Sequence, residues 1–164
     1  MISFGLVISI LVVFLVLLTI YLGIKVVPQS KVFVIERFGR YHRTLNAGLS
    51  IIIPYLDSVA HRIDILERQL ESQRISVITR DNVEVELETS VFYRVIDASR
   101  SVYRISNIDQ ALTTETAAVV RSAAGKLELD ELQSSRDKMN AEIASTLSPS
   151  ADEWGINITR TSIT

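Results

Sequence analysis

Residues 82–97 read NVEVELETSVFYRVID, the clearest pattern in the chain. Apolar or small side chains occupy every second position from Val83 to Val95, and the glutamates fall between them. Because side chains alternate between the two faces of a strand, this period of two predicts a β-strand with one buried face. A sheet built around this strand is the starting point for the fold.

The other face of this strand carries an acidic row, formed by Glu84, Glu86 and Glu88. These side chains could pair with Arg74 or Arg80 on a neighbouring strand. A solvated face, which also discourages edge-to-edge pairing, is favoured over a ligand site.

After Asp97 the pattern becomes helical. Asp97 is placed to cap a short helix that runs to about Arg104, and Asn107 is placed to cap a longer one. Gly125 is placed to end the longer helix. Helices therefore follow the strands in sequence.

A third helix is predicted to start near Ser134, with Asp137 completing a capping box, and to stop at Pro149. Its apolar stripe contains Met139, Ile143 and Leu147. The acidic residues before it, Glu128, Asp130 and Glu131, are interpreted as a solvated linker between helices.

The last segment, residues 154–164, reads WGINITRTSIT and alternates as a strand with a slipped register or a bulge. The order of strands, helices and a strand predicts an α+β domain in which helices lie on one face of a sheet. The boundaries predicted are an anchor over residues 1–24, a strand-rich part over 25–96 and a helical part over 97–164.

Upstream of this region, residues 26–57 alternate short β-prone runs with turn-forming residues. These residues are Pro28, Gly39, Asn46, Gly48 and Pro54. The pattern predicts a set of hairpins.

The first 24 residues contain no charged side chain. About 20 helical residues span the roughly 30 Å hydrocarbon core of a bilayer, so the segment predicts an uncleaved transmembrane anchor. A cleaved signal peptide would have a basic start and a shorter apolar run, and a buried core helix would be interrupted by polar positions. Residues expected in the membrane include Ile2, Leu6, Ile10, Phe14, Leu17, Tyr21 and Ile24.

The residues that follow the anchor are basic, and they are expected to form a collar against anionic headgroups. The collar consists of Lys25, Lys31, Arg37, Arg40 and Arg43. The excess of positive charge predicts that the body lies on the cytoplasmic side of the inner membrane.

Residues 49–56, LSIIIPYL, allow two interpretations. The segment can dip into the lipid interface, with Ile51, Ile52, Ile53 and Tyr55 as membrane contacts. It can equally be a buried strand, and the sequence leaves both open.

The sequence offers little for catalysis or cofactor binding. The chain has no cysteine, and His42 and His61 do not stand in a metal-ligand spacing. Asp57, Ser58 and His61 are adjacent in sequence but lack the context of a nucleophilic triad. With a net charge of −2, the chain is not expected to bind nucleic acid. We expect no metal, no cofactor, no small-molecule substrate and no enzyme activity, with a membrane-bound hydrolase or peptidase and a lipid-binding module as the alternatives.

An ordered set of segments resembles the SPFH family, which includes stomatin, prohibitin and flotillin. The segments are VPQSKVFVIERFGRY, GLSIIIPYLD, ITRDNVEVELETSVFYRVIDA, LELDEL followed by SSRDKMN, and DEWGINITR. The ERFGRY and WGI segments are most similar to the bacterial stomatin-like or paraslipin branch.

This resemblance implies an N-terminal anchor and a non-enzymatic, mostly antiparallel α+β domain on the membrane. It further implies assembly into large oligomers that organise microdomains, in association with a membrane protease or an NfeD-like membrane protein in quality control. Relatives usually continue into a Glu- and Ala-rich coiled coil that drives assembly. This sequence ends before such a segment, so a homo-oligomer is expected of a form that carries it.

Overall fold

The computed structural model describes all residues from Met1 to Thr164. They form two compact units, Met1–Asp64 and Ile65–Thr164. The first unit has two small sheets and the second unit has one larger sheet, and each unit has its own buried side chains.

The first unit begins with one helix and continues as five strands. Their bounds are α1 Phe4–Gly23, β1 Ile24–Val27, β2 Lys31–Arg37, β3 Arg40–Leu45, β4 Gly48–Ile51 and β5 Asp57–Asp64. Strand β1 pairs with β4, and β2 lies between β3 and β5, all antiparallel. The predicted hairpins are confirmed, with turns where the turn-forming residues stand.

The core of the first unit is small and apolar. It consists of Val27, Phe33, Ile35, Leu45 and Ile52, with Val59 packed against it. Because these residues come from β1, β2, β3, β5 and the loop after β4, this cluster ties the short strands together.

The second unit carries the larger sheet and four helices. Their bounds are β6 Arg68–Gln69, β7 Gln73–Ile78, β8 Glu84–Val95, α2 Ala98–Tyr103, α3 Ile108–Gly125, α4 Leu129–Ser134, α5 Arg136–Glu153 and β9 Ile156–Ile163. Strand β8 is central, with β6 and β7 along one edge and β9 along the other. The α+β class is confirmed.

The alternation that predicted β8 is visible in its burial. Thr89, Val91, Tyr93 and Val95 are buried, whereas the three glutamates of the acidic row are exposed. Helices α3 and α5 contact β7, β9 and each other, so they cover the buried face. The predicted irregularity in the last strand is also confirmed, because the pairing of β8 with β9 skips Thr159.

The caps of the first two helices of this unit are confirmed. The side chain of Asp97 accepts a hydrogen bond from the backbone N–H of Arg100, and that of Asn107 accepts one from Gln110. The longer helix ends at Gly125 as expected.

Three expectations for the following region are wrong. The segment interpreted as a linker is helix α4, and no side chain caps the start of α5, so the capping box is absent. Helix α5 does not stop at Pro149 but continues to Glu153. Leu147 and Ala151, on either side of the proline, are 0% and 1% exposed, and this burial offsets the hydrogen bond that a proline cannot donate.

The predicted boundary between residues 96 and 97 falls inside the second unit. The reason is that β9, at the end of the chain, pairs with seven residues of β8. Strand β8 and the helices that follow it therefore share one core.

Candidate membrane-facing surface

Helix α1 has the length and composition needed to cross a membrane. At 1.5 Å per residue, its 20 residues extend for about 30 Å, which matches a hydrocarbon core. Only Gly23 is buried. Of the residues expected in the membrane, Ile2 precedes the helix and Ile24 begins β1, while the other five lie within it.

Gly23 joins the helix to the body of the first unit. Its carbonyl oxygen accepts a hydrogen bond of 2.7 Å from the backbone N–H of Ile52. A Cβ atom at this position would stand 2.6 Å from the carbonyl oxygen of Ile52, closer than real Cβ atoms approach. A glycine therefore allows the chain around Ile52 to lie directly against the end of the helix.

The loop between β4 and β5 also lies beside the helix. The hydroxyl of Tyr55 is 3.3 Å from that of Thr19. Thr19 is four residues before Gly23, which corresponds to a depth of about 6 Å along the helix axis. If the end of α1 marks the edge of the hydrocarbon core, the Tyr55 hydroxyl lies about 6 Å inside that edge.

Strands β1 and β4 present an exposed apolar face immediately after the helix. Ile24 lies opposite Ile51 and Val26 opposite Leu49, and residues directly opposite in an antiparallel pair share a face. Their exposures are 40%, 69%, 71% and 72%, respectively. We call these four residues the apolar platform. An exposed apolar patch of this kind is typical of a membrane or protein contact.

The segment LSIIIPYL divides between the two interpretations that the sequence left open. Ile51, Ile53 and Tyr55 are exposed by 69%, 47% and 67%, whereas Ile52 is only 5% exposed and belongs to the core. Ile52 is therefore wrong as a membrane contact. Its burial follows from the hydrogen bond to Gly23, which turns its side chain toward the core strands.

A buried ion pair shapes the loop that holds Ile53 and Tyr55. Arg37 Nε lies 2.7 Å from Asp57 Oδ1, and the carboxylate also accepts a hydrogen bond of 3.2 Å from the N–H of Ile53. The Asp57 side chain is 1% exposed. The hydrogen bond from Arg37 lowers the pKa of Asp57 to about 2, against the opposing effect of burial.

The predicted basic collar is only partly available to headgroups. Arg37 is committed to Asp57, and Arg43 donates to the carbonyl oxygen of Ile51 at the end of the platform. Arg40 is exposed, and Lys25 and Lys31 are partly buried at the starts of β1 and β2. The collar role remains a prediction for each of them.

The candidate triad is not assembled around a free carboxylate. Asp57 is paired with Arg37, and the hydroxyl of Ser58 donates to the carbonyl oxygen of Glu36 at 3.4 Å. His61 is exposed on β5. No group of three or more metal-binding side chains is found in the chain.

The acidic row does not pair with Arg80, which instead contacts Glu128 and Glu131 at 2.8 and 3.3 Å. The other candidate, Arg74, lies directly opposite Glu88 on β7. Arg80 therefore ties the turn after β7 to helix α4.

Sequence reasoning missed one member of the apolar platform, Val26, and also the exposed Phe38, whereas Leu49 lay within the segment considered as a lipid contact. The platform depends on which residues of β1 and β4 lie opposite each other, and a register between short strands cannot be read from either strand alone. The alternation of Ile24, Lys25 and Val26 was a usable signal, but it spans too few residues to stand out.

Comparison with known proteins agrees with this architecture. The model of the SPFH domain / Band 7 family matches residues 25–164. Stomatin-like protein 2, mitochondrial, of Homo sapiens is 34% identical over 134 residues, which cover 82% of this chain and 38% of that protein.

Uncharacterized proteins of Mycobacterium tuberculosis and Methanothermobacter thermautotrophicus are 31% and 30% identical over 156 and 157 residues. The matches cover 95% and 96% of this chain, but 41% and 49% of those proteins. The chain thus spans less than half the length of these relatives. From the family match over nearly the whole body, we conclude that the chain belongs to the SPFH domain / Band 7 family.

Proposed function

We propose that the chain is the membrane-anchored part of a scaffold protein that associates laterally with its own copies and organises a membrane microdomain. The observation that carries this proposal is the apolar platform, which continues directly from the C-terminal end of α1. Exposure of this apolar face to water is energetically unfavourable, whereas at a bilayer surface the face is stabilised by burial among lipid chains.

The geometry of the first unit supports a position of this unit against the bilayer. Ile52 and Tyr55 attach the β4–β5 loop to the last turn of α1, so the loop stays beside the helix. The Arg37–Asp57 pair fixes the far end of the same loop. An attachment of this kind limits how far the strands of the first unit can swing away from the anchor.

A scaffold also accounts for the absence of an assembled triad around Asp57. The finer role, regulation of a membrane protease in the inner membrane with the body on the cytoplasmic side, is part of the proposal. A membrane protease or an NfeD-like membrane protein is the proposed partner, beside copies of the chain itself.

Chemical crosslinking in native membranes tests the association. We expect a ladder of multimers of the full chain, and we expect it to persist when the detergent-solubilised protein is diluted moderately. A strictly monomeric species, both in membranes and in mild detergent at high concentration, would contradict the proposal.

The orientation has a separate test, since the chain has no cysteine of its own. A Thr164→Cys variant provides one thiol for a membrane-impermeant maleimide. Labelling only in inside-out vesicles is expected of a cytoplasmic body, and labelling only in right-side-out vesicles would reverse the proposed topology.

A further inference from the structure

The turn between β2 and β3 is unusual in both conformation and exposure. Two residues, Phe38 and Gly39, connect Arg37 to its partner Arg40, and their φ angles are 53° and 76°. Two-residue hairpin turns with positive φ at both positions favour sequences such as Asn-Gly. A bulky residue such as phenylalanine rarely adopts positive φ, so this position has a residue that the turn itself does not favour.

Phe38 is also 79% exposed. An aromatic side chain at the tip of a hairpin gains nothing from packing within its own unit. In water it therefore has both an unfavourable backbone conformation and an unfavourable environment. An apolar environment outside the chain would remove the second of these costs.

The hairpin tip lies at the same end of the first unit as the loop beside α1. Arg37, the last residue of β2, pairs with Asp57, the first residue of β5. Asp57 in turn accepts the hydrogen bond from Ile53. Beyond this point β2 continues into Phe38, toward the side from which residues 53–56 enter β5.

The β4–β5 loop relates the tip of the β2–β3 hairpin to the end of α1. Its Tyr55 contacts Thr19 about one turn inside the end of α1, so the loop that enters this end of the sheet reaches the last part of the helix. Arg40, two residues after Phe38 at the start of β3, is also exposed. An inserted aromatic with an adjacent arginine fits the boundary between acyl chains and anionic headgroups.

We infer that Phe38 at the tip of the β2–β3 hairpin inserts into the acyl region of an anionic bilayer, as a contact separate from the apolar platform. This inference rests on the proposed position of the first unit against the membrane. The occupant is a lipid surface because the tip is continuous with the end of the unit that holds α1. Insertion at a second point limits the tilt of the first unit relative to the bilayer plane, which a single anchor leaves free.

Depth-dependent fluorescence quenching tests the inference on the full chain in vesicles of phosphatidylcholine and phosphatidylglycerol. Trp154 is the only tryptophan, so a Trp154→Phe background silences the natural signal. Phe38→Trp is then compared with Tyr55→Trp. We expect acyl-brominated lipids to quench the emission of both variants at least twofold, and iodide in the water to quench neither by more than a tenth.

The outcomes separate this inference from the proposed function. Quenching of Tyr55→Trp by brominated lipid, with Phe38→Trp quenched only by iodide, would overturn the inference and leave the membrane position of the unit intact. Lack of lipid quenching in both variants would overturn both. Protection of Phe38→Trp from lipid and iodide alike would place the ring in a protein contact, such as a second copy, and would overturn the lipid assignment.

A nitroxide on a Phe38→Cys variant gives an independent measurement without a background substitution. We expect the label to collide more often with oxygen, which concentrates in lipid, than with a water-soluble nickel complex. The reverse ratio would overturn the inference.

Discussion

Substitution of Gly23 by alanine tests how α1 is attached to the rest of the first unit. The added Cβ would stand 2.6 Å from the carbonyl oxygen of Ile52. Gly5→Ala is the matched control, because a Cβ atom at Gly5 has nothing within 4 Å in the same helix. The two variants make the same chemical change and differ only in what the new methyl group meets.

The expected cost follows from the geometry. Non-bonded heavy atoms approach to roughly 3.5 Å, so the chain at Ile52 must move by about 0.9 Å to clear the methyl group. The 2.7 Å hydrogen bond from Ile52 to Gly23 would then exceed the usual range. Loss of this hydrogen bond lowers stability by about 1 kcal/mol, and overpacking of the new methyl group lowers it by about 1–3 kcal/mol. The higher helix propensity of alanine offsets about 1 kcal/mol of this loss. We expect a net loss of about 2 kcal/mol.

Hydrogen–deuterium exchange in nanodiscs measures this loss locally. A loss of about 2 kcal/mol corresponds to roughly 30-fold faster exchange. We expect this acceleration for the amide of Ile52 in Gly23→Ala and no change in Gly5→Ala. Equal exchange in the two variants would refute the close contact between α1 and the β4–β5 loop.

The remaining predictions concern the cores of the two units. Ile52→Ala should lower the free energy of unfolding by about 2–4 kcal/mol, whereas Ile51→Ala should change it by less than about 0.5 kcal/mol. Denaturant titrations measure both values, and equal effects would contradict the assignment of Ile52 to the core. Gly155 has a φ of 69° and no room for a Cβ atom beside Asp97, so it should tolerate alanine far less than Gly125 does. Thermal unfolding should show a lower midpoint only for Gly155→Ala. Pro149→Ala should raise the free energy of unfolding by about 1–3 kcal/mol because α5 continues through this position, and a decrease would show that the ring itself is needed for packing.

Local patterns in the sequence were sufficient for most of the second unit. The alternation of β8, the caps at Asp97 and Asn107 and the irregular last strand all depend on neighbours in sequence, and each is present in the structure. The predicted end of α5 at Pro149 was wrong because it relied on the local rule that a proline ends a helix. Burial of Leu147 and Ala151, in a helix that packs against α3 and β9, outweighs that rule.

The candidate membrane surface was harder to predict because it depends on contacts between segments. Three consecutive isoleucines look alike in sequence, yet Ile52 is buried while Ile51 and Ile53 are exposed. This difference is set by the pairing of β1 with β4 and by the hydrogen bond to Gly23. Likewise, the pairing of Arg37 with Asp57 joins residues 20 positions apart, and no local pattern indicates it.

Nitroxide scanning along β4 in anionic vesicles tests the central claim, that the apolar platform lies on the bilayer. Single cysteines at Leu49, Ser50 and Ile51 carry the label in turn. The account predicts an alternation, with lipid-like oxygen accessibility at Leu49 and Ile51 and low accessibility at Ser50, whose side chain faces the other side of the strand. Free access of the water-soluble nickel complex to Leu49 and Ile51 would contradict it.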